Sequence, residues 1–276
     1  MTFSIVARSA DGRSLGVAVA SKFLAVGAAV PAAEADVGAL ATQSYANLAY
    51  RPQGLTLLRT GVAAAEVVAG LTAADPGRAQ RQLGVVGPTG DGATYTGDAC
   101  HDWAGGLAGD GYAIQGNILA GKQVVVAMVE AWAASDPAAP LGRRLLAALA
   151  AGDRAGGDRR GRQSAALLVV ARGQGYGGTS DVVADLRVDD HADPVPELSR
   201  LLDLHALYFD KPDPAALLDL SGDLAEEVAG RLDGLGYRDR DLDAALASWA
   251  GVENLEERLV PGRIDPFVLA YLRQQR

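Results

Sequence analysis

The segments of this chain that have the composition of β-strands occur as adjacent pairs, and pairs of helix-like segments separate them. The first strand pair flanks Asp11-Gly12, a dipeptide that favours a tight hairpin turn. Segments of helical composition follow at residues 54–61, 63–75, 122–136 and 141–153. Isolated βαβ alternation would predict a parallel sheet, whereas hairpins followed by helix pairs predict mostly antiparallel sheets. We therefore predict an α+β fold, with two stacked sheets between outer helix layers.

The composition changes near residue 210, where prolines and acidic residues suggest a hinge. Beyond this point the chain consists of short amphipathic runs separated by glycines, without the alternation that is typical of strands. We predict a first domain at residues 1–207 and a small α-helical module at residues 213–276, with no strand beyond Pro214.

Composition and charge argue against several classes of partner. Cys100 is the single cysteine of the 276 residues, which excludes an internal disulfide and a multi-cysteine metal cluster. The net charge of −9 argues against a general nucleic-acid or anionic-membrane partner. Charged residues and Pro31 interrupt the longest apolar region, so we predict no membrane span. Because Arg8 stops the first apolar segment, we predict no signal peptide and expect a cytoplasmic protein.

A threonine stands at position 2, where the first predicted strand begins. The hairpin register, continued outward from the turn, pairs Thr2 with Ser21 and places Lys22 at the same end. Removal of Met1 would free the Thr2 α-amine, and a neighbouring cation and partial burial would lower its pKa. Such an amine can activate the threonine hydroxyl as a nucleophile. Alternatively, Thr2 is a β-favouring residue in an edge strand, and Lys22 is a solvated strand end.

Polar side chains also follow two other predicted strands. They are Gln43, Ser44, Tyr45 and Asn47 after one strand, and Gln115 and Asn117 at the end of another. Amide side chains in such positions can donate hydrogen bonds to an oxyanion or a substrate amide, but Asn and Ser also favour turns. Arg162 precedes a buried strand, where it either binds a substrate carboxylate or lies on the surface of a mobile Gly/Arg-rich loop.

One acidic segment raises the question of a metal site. Asp189, Asp190 and His191 can bind a metal or serve as acid and base, but Asp190 precedes a helix that starts near Pro194, where capping is the commoner role. A structural role is likewise favoured for His101. With three histidines and no HExxH-like spacing, we predict no metal and no cofactor.

Six stretches of the chain, which follow one another within residues 1–207, carry a resemblance to a known family. They are MTFSIVARSADGRSLGVAVASKFLAVGAAVP, ATQSYANLAYRPQGL, RQLGVV, GYAIQGNIL, GRQSAALLVV and LRVDDH. Together they resemble an uncharacterised bacterial family grouped with the N-terminal nucleophile (Ntn) hydrolases. The resemblance implies a four-layer αββα sandwich, a catalytic N-terminal Thr, Ser or Cys, and amide-bond hydrolysis, but no particular substrate. The tail, from LDGLGYRDRDLDAALASWAG onward, resembles a peptidoglycan-binding module.

Two functions follow as alternatives. In the first, the protein is an Ntn-type amidohydrolase in which Thr2 attacks the C–N amide bond of a small amide or peptide-like substrate, forming an acyl-enzyme that water releases. In the second, the protein has the same scaffold without catalysis and binds a ligand or a cell-wall fragment. In both, we expect a homo-oligomer without a nucleic-acid or membrane partner.

Overall fold

The computed structural model describes residues 2–275, and every pair of strands within this range is antiparallel. The expected removal of Met1 falls outside the described residues. The chain forms two compact units, one ending at Leu202 and the other beginning at Asp203. Across the described range, none of the helices is both long and apolar enough to span a bilayer.

The first unit contains two sheets. Its elements are β1 (Thr2–Arg8), β2 (Ser14–Ser21), α1 (Val26–Ala29), β3 (Pro31–Glu34), β4 (Gly38–Gln43), α2 (Tyr50–Arg59), α3 (Ala64–Ala73), β5 (Gln82–Val86), β6 (Ala93–Thr96), β7 (Gly105–Gly109), β8 (Tyr112–Asn117), α4 (Gln123–Ala134), α5 (Leu141–Arg154), β9 (Ser164–Ala171), β10 (Val182–Val188) and α6 (Pro194–Phe209). One sheet has the strand order β10-β9-β2-β1-β8-β7, and the other has the order β3-β4-β5-β6. The boundary between the two units falls within α6.

The hydrophobic core of the first unit is divided by its sheets, because successive side chains of a strand point to opposite faces. Helices α4, α5 and α6 pack on the outer face of the six-stranded sheet, around residues such as Phe3 and Leu145. Helices α2 and α3 pack on the outer face of the four-stranded sheet, around Leu40 and Leu71. A further cluster lies between the sheets. Antiparallel sheets with helices packed outside them are thus confirmed.

The opening hairpin has the predicted register, which brings Thr2 opposite Ser21. Its turn is longer than the predicted Asp-Gly turn, because β1 ends at Arg8 and β2 begins only at Ser14. Within the turn Gly12 has a φ of 75°, in the left-handed region that favours glycine. The longer turn preserves the register, so the sequence prediction at the far end of the hairpin is unaffected.

Three short elements of the first unit were not expected from the sequence: helix α1 and strands β3 and β7. The strand segments have the sequences PAAE and GGLAG, which lack the β-branched and aromatic residues typical of strands. They form because neighbouring strands provide hydrogen-bond partners, β4 for β3 and β8 for β7.

The second unit is built from α7 (Gly222–Gly234), α8 (Leu242–Val252) and α9 (Pro266–Gln274), with β11 (Leu218–Asp219) and β12 (Arg263–Ile264). Trp249 and Leu272 belong to its core. The prediction of no strand beyond Pro214 is wrong, since β11 pairs with β12. Each of these strands has two residues, too few to show alternation in the sequence.

Candidate functional site

The layer between the two sheets changes from apolar to polar along its length. At one end, which we call the apolar end, the inward-facing residues are aliphatic and include Val6, Val17, Val19, Ala39, Ala41, Val86 and Ala113. At the other, which we call the polar end, the same strands β1, β2, β4, β5 and β8 contribute Thr2, Ser4, Ser21, Gln43, Gln82, Gln115 and Asn117. All of these polar residues are at most 7% exposed. Because alternate residues share a face, each strand contributes aliphatic side chains towards one of its ends and polar side chains towards the other.

The polar end is a continuous hydrogen-bond network. Gln115 Nε2 donates to Ser4 Oγ at 2.6 Å, and Ser4 Oγ donates to Gln43 Oε1 at 2.8 Å. Gln43 Nε2 and Asn117 Nδ2 both donate to Gln82 Oε1, at 2.7 and 2.9 Å. Gln82 Nε2 in turn donates to a backbone carbonyl of β8 at 2.7 Å. Since buried amides require such partners, the network fixes the orientation of each side chain.

Gln115 Oε1 is a buried atom without a hydrogen-bond partner among the described residues. It packs against Gly84, where a Cβ would lie 2.1 Å from it. Any side chain at this inward position of β5 would therefore displace the Gln115 amide.

Thr2 lies where the polar network meets a cavity. Its backbone carbonyl accepts a hydrogen bond from Gln43 Nε2 at 3.3 Å, which fixes the start of β1. Its Oγ1 lies 3.1 Å from Ser21 Oγ. Both residues line a cavity of about 580 Å³, which we call the Thr2 cavity. The structure therefore gives a buried pair of hydroxyl groups access to a space large enough for a small molecule.

The walls of the Thr2 cavity are apolar and cationic. Its apolar lining includes Phe23, Val26, Ala29, Val30 and Leu48, and its charged lining consists, among the described residues, of Arg81 and Arg160. A second space of about 340 Å³, which we call the Asn117 cavity, is lined by Ser44, Tyr45, His101, Asn117, Ile118 and Arg160. Ser44, Tyr45 and Arg160 line both cavities, so the two spaces are adjacent.

A buried carboxylate holds Arg81 at the cavity wall. Asp75 Oδ2 accepts from Arg81 Nε at 2.9 Å, from the Tyr50 hydroxyl at 2.9 Å and from Asn47 Nδ2 at 3.1 Å. The Arg81 hydrogen bond is the largest of the effects that hold the pKa of Asp75 well below its usual range. Burial, together with the Asp75 carboxylate, raises the pKa of the Tyr50 hydroxyl. Asp75 is therefore ionised and positions both Arg81 and the loop that carries Asn47.

Arg160 is held at the cavity in a similar way. Its Nη2 donates to the backbone carbonyl of Lys22 at 2.9 Å and lies 3.3 Å from Asp158 Oδ2. Asp158 Oδ2 also accepts from the backbone N–H of Lys22 at 2.7 Å. Asp158 therefore ties the Gly/Arg-rich segment, which the sequence suggested to be a mobile loop, to the end of β2.

The backbone is strained where it borders the cavities. Ser44, Tyr45 and Ile118 have φ values of 57°, 49° and 50°. A left-handed conformation costs a residue with a Cβ on the order of 1–2 kcal/mol, and the β-branched Ile118 is the least expected to adopt it. Strain of this kind is concentrated at functional sites, where the surrounding structure enforces it.

The structure corrects the expected position of Lys22. Its exposed ammonium donates to the backbone carbonyl of Arg162 at 3.2 Å, and Lys22 lies outside the lining of both cavities. Neighbouring residues of an extended chain point to opposite sides, so a register that aims Ser21 at Thr2 must turn Lys22 away. Among the described residues, the cations that line the Thr2 cavity are Arg81 and Arg160.

The Arg162 side chain also lies away from the Thr2 and Asn117 cavities. Its guanidinium donates to Asp153 Oδ1 at 2.9 Å and to Asp193 Oδ1 at 2.8 Å. Hydrogen bonding to Asp153, and to a smaller extent the charges of both carboxylates, raises the pKa of Arg162. Arg162 lies outside the lining of both cavities, so of its two predicted positions the structure favours the one at the surface, paired with carboxylates.

The remaining candidates lie away from the two cavities. Asn47 Oδ1 accepts from the Ala49 backbone N–H at 3.1 Å, as in a turn that begins a helix. Asp189, Asp190 and His191 form part of the turn before α6, and His191 Nδ1 accepts from a backbone N–H at 3.0 Å. Between residues 2 and 275, no three His, Cys, Asp or Glu side chains are grouped so that they could hold a metal.

Sequence reasoning missed four residues of the site: Ser4, Arg81, Gln82 and Arg160. Gln82 could have been found, because it begins a strand that pairs with β4 and lies directly opposite Gln43. When two antiparallel strands are neighbours, the first residue of one lies beside the last residue of the other. Polar residues at these two positions therefore meet at the same end of the strands. The arginines gave no such pattern, since both lie outside the strands.

Comparison with known proteins gives two family matches. The model described as "Family of unknown function (DUF1028)" matches residues 2–198, and the model described as "Putative peptidoglycan binding domain" matches residues 208–272. Among solved structures, the chain is similar to protein SPO2555 from Silicibacter pomeroyi, which carries the DUF1028 family model. The two are 31% identical with a TM-score of 0.66, over 82% of this chain and 92% of that chain. No curated protein matches. The grouping with the Ntn hydrolases stays a prediction.

Proposed function

We propose that this chain, which belongs to the DUF1028 family, is an Ntn-type amidohydrolase that cleaves a C–N amide bond with Thr2 as its nucleophile. The observation that carries the proposal is the position of the Thr2 hydroxyl, 3.1 Å from Ser21 Oγ and on the wall of a cavity of about 580 Å³. Helices packed outside two antiparallel sheets are also what an αββα sandwich of the Ntn type requires.

The first half of the reaction forms an acyl-enzyme. Once Met1 is removed, the Thr2 α-amine takes the proton from Oγ1 while Oγ1 bonds to the carbonyl carbon of the substrate amide. The tetrahedral intermediate then collapses with cleavage of the C–N bond, and the α-ammonium gives its proton to the leaving nitrogen. An amine leaves, and the acyl group remains as an ester on Thr2.

The second half restores the enzyme. A water molecule gives a proton to the α-amine while its oxygen bonds to the ester carbonyl carbon. Cleavage of the ester returns the proton to Thr2 Oγ1 and releases a carboxylic acid. Arg160 lines the same cavity, and a nearby cation favours the neutral form of an amine, as this base requires.

Asn117 is a better candidate than Gln43 for the donor to the oxyanion. Gln43 Nε2 donates to Gln82 Oε1 at 2.7 Å and to the Thr2 carbonyl at 3.3 Å, which occupies both of its hydrogens. Asn117 Nδ2 has one short bond, of 2.9 Å, and a contact of 3.5 Å to the Thr2 carbonyl. The second hydrogen of Asn117 is therefore the easier to redirect, and one such donor is typically worth about 10²–10³ in kcat.

The experiment that tests this proposal compares Thr2→Val with Thr2→Ser. Valine keeps the shape of threonine without the hydroxyl, and serine keeps the hydroxyl. With a panel of small amides and amine release as the readout, Thr2→Val should lower kcat by a factor on the order of 10³ or more, and Thr2→Ser should retain turnover. Turnover by Thr2→Val at the wild-type rate would contradict the proposal.

A binding protein on the same scaffold is the second candidate. The observation that favours it is the engagement of Gln43 and Asn117 with Gln82, which leaves few side-chain donors for an oxyanion. The match of residues 208–272 to a peptidoglycan-binding domain supports a cell-wall fragment as the ligand. The mass of the natively produced protein tests the first candidate: a retained Met1 would block the amine that catalysis needs and favour binding, whereas its removal permits catalysis without proving it. The cytoplasmic location and the homo-oligomer stay predictions.

A further inference from the structure

The walls of the Thr2 and Asn117 cavities are positively charged in a chain whose net charge is −9. Arg81 and Arg160 line the Thr2 cavity, Arg160 also lines the Asn117 cavity, and no Asp or Glu is found among the described lining residues. The carboxylates that pair with these arginines, Asp75 and Asp158, have side chains that are 7% and 2% exposed. The Arg160 side chain is 45% exposed. A molecule that enters the cavities therefore meets a guanidinium group before it meets a carboxylate.

Large apolar side chains surround the Thr2 cavity and remain accessible. Phe23, Tyr45 and Leu48 line it and are 54%, 59% and 45% exposed. Exposed apolar side chains that cluster at one concave place mark a surface that an apolar group covers. Phe23 and Leu48 line only the Thr2 cavity and Tyr45 lines both, whereas His101 and Asn117 make the Asn117 cavity the more polar of the two.

The proposed reacting groups lie on the walls of the two adjacent cavities. Thr2 lines the first cavity and Asn117 lines the second, and the two residues are paired across β1 and β8. An amide whose carbonyl carbon reaches Thr2 Oγ1 can therefore extend one substituent into the apolar space and the other into the polar space. The two substituents of the scissile amide then have opposite chemistry.

We propose that the substrate is an N-acylated amino acid, with an apolar acyl chain in the Thr2 cavity and a free carboxylate on Arg160. This proposal rests on the proposed function, in that the bond joining the acyl chain to the amino acid is the amide that Thr2 cleaves. Arg160 is suited to the carboxylate because its guanidinium is a permanent cation on the wall of both cavities, and hydrogen bonds between charged groups are stronger than neutral ones.

Binding to the full-length Thr2→Val protein, measured by titration calorimetry, tests the substrate class without turnover. The probes are N-octanoylglycine, N-octanoylglycinamide, which lacks the carboxylate, and N-acetylglycine, which lacks the apolar chain. We expect N-octanoylglycine to bind at least tenfold more tightly than either of the others. Equal affinity for all three probes would overturn the proposal.

Two matched pairs of substitutions in the same background assign the contacts. Arg160→Gln should weaken N-octanoylglycine at least tenfold and leave N-octanoylglycinamide unchanged, whereas Arg154→Gln, at an exposed residue outside both cavities, should change neither. Phe23→Ala should weaken both octanoyl probes, whereas Leu24→Ala, at the adjacent residue that is 60% exposed and outside the described lining, should not. An unchanged affinity for N-octanoylglycinamide would also show that Arg160→Gln is folded. Equal losses for both octanoyl probes in a variant with an unchanged thermal transition would contradict the carboxylate contact.

Wild-type turnover separates this proposal from the proposed function. If N-octanoylglycine binds selectively but is not cleaved by wild-type protein lacking Met1, the ligand class stands and the hydrolase proposal fails. If small amides are cleaved and the three probes bind equally, Thr2 remains the nucleophile and the ligand class is wrong.

Discussion

The two ends of the layer between the sheets are built by the same five strands, but apolar packing stabilises one end and hydrogen bonds stabilise the other. At the apolar end, residues such as Val17 and Val19 fill space through contacts that have no direction. At the polar end, Gln43, Gln82 and Asn117 depend on particular donors and acceptors. Packing between two sheets needs only aliphatic side chains, whereas every buried amide adds a desolvation cost that a hydrogen bond must offset. The polar end thus gives up the more stable apolar packing at the place where Thr2 lines a cavity, as expected of a functional site.

Breaking the network at its centre is expected to have the largest effect on stability. Gln82→Leu keeps similar volume but leaves the amide N–H groups of Gln43 and Asn117, and a carbonyl of β8, without their partner. Each buried unsatisfied group costs about 1–3 kcal/mol, so the free energy of unfolding should fall by about 3–5 kcal/mol in urea denaturation. A fall of less than about 1 kcal/mol would mean that the amides do not act as a unit.

The reverse change at the apolar end should have a smaller effect. Val17→Thr keeps the shape of valine and buries a hydroxyl among aliphatic neighbours, which should lower the free energy of unfolding by about 1–3 kcal/mol. Amide turnover at a temperature well below the transition should be unchanged, because Thr2 and its partners lie at the other end. Loss of turnover in a folded Val17→Thr protein would show that the two ends are coupled.

The sequence was sufficient to predict the register of the opening hairpin, but not the hydrogen-bond partners at the polar end. The hairpin register alone placed Thr2 opposite Ser21, as the structure has it. The partners of the amides depend on how the second sheet lies over the first, which no local pattern encodes, so Ser4 and the central role of Gln82 were missed. Arg160 was missed because the glycines around it suggested mobility, whereas the buried Asp158 fixes it through tertiary contacts.

A third variant, Asp75→Asn, tests whether a buried charge holds the cavity wall. We expect it to lower the free energy of unfolding at pH 7 by about 1–2 kcal/mol, mainly through loss of the Arg81 ion pair. Because folding depresses the pKa of Asp75, its contribution is present above the unfolded pKa of about 3.9 and is lost as the pH falls below it. The difference between wild type and Asp75→Asn, measured in urea at each pH, should be constant above about pH 5 and shrink below about pH 4. A difference that grows on acidification would contradict this assignment.

The smallest effect is expected from Lys22→Met. Its ammonium is exposed and contacts the Arg162 carbonyl, away from both cavities. The rate of amide cleavage should therefore stay within about twofold of wild type, and the free energy of unfolding within about 0.5 kcal/mol. A large fall in rate, together with a shift of the acid limb of the pH–rate profile to higher pH, would show that Lys22 is the cation beside the Thr2 amine.

The central claim is that the hydroxyl group of Thr2, at the polar end, is a nucleophile, and covalent trapping tests it most directly. Protein lacking Met1 is incubated with p-nitrophenyl octanoate, quenched in acid and digested, and the acylated peptide is identified by mass spectrometry. We predict one octanoyl group per chain, on the peptide that begins with Thr2 and released by hydroxylamine as an ester, and no such adduct in Thr2→Val. An octanoyl group on any other residue, or an adduct that persists in Thr2→Val, would contradict the claim.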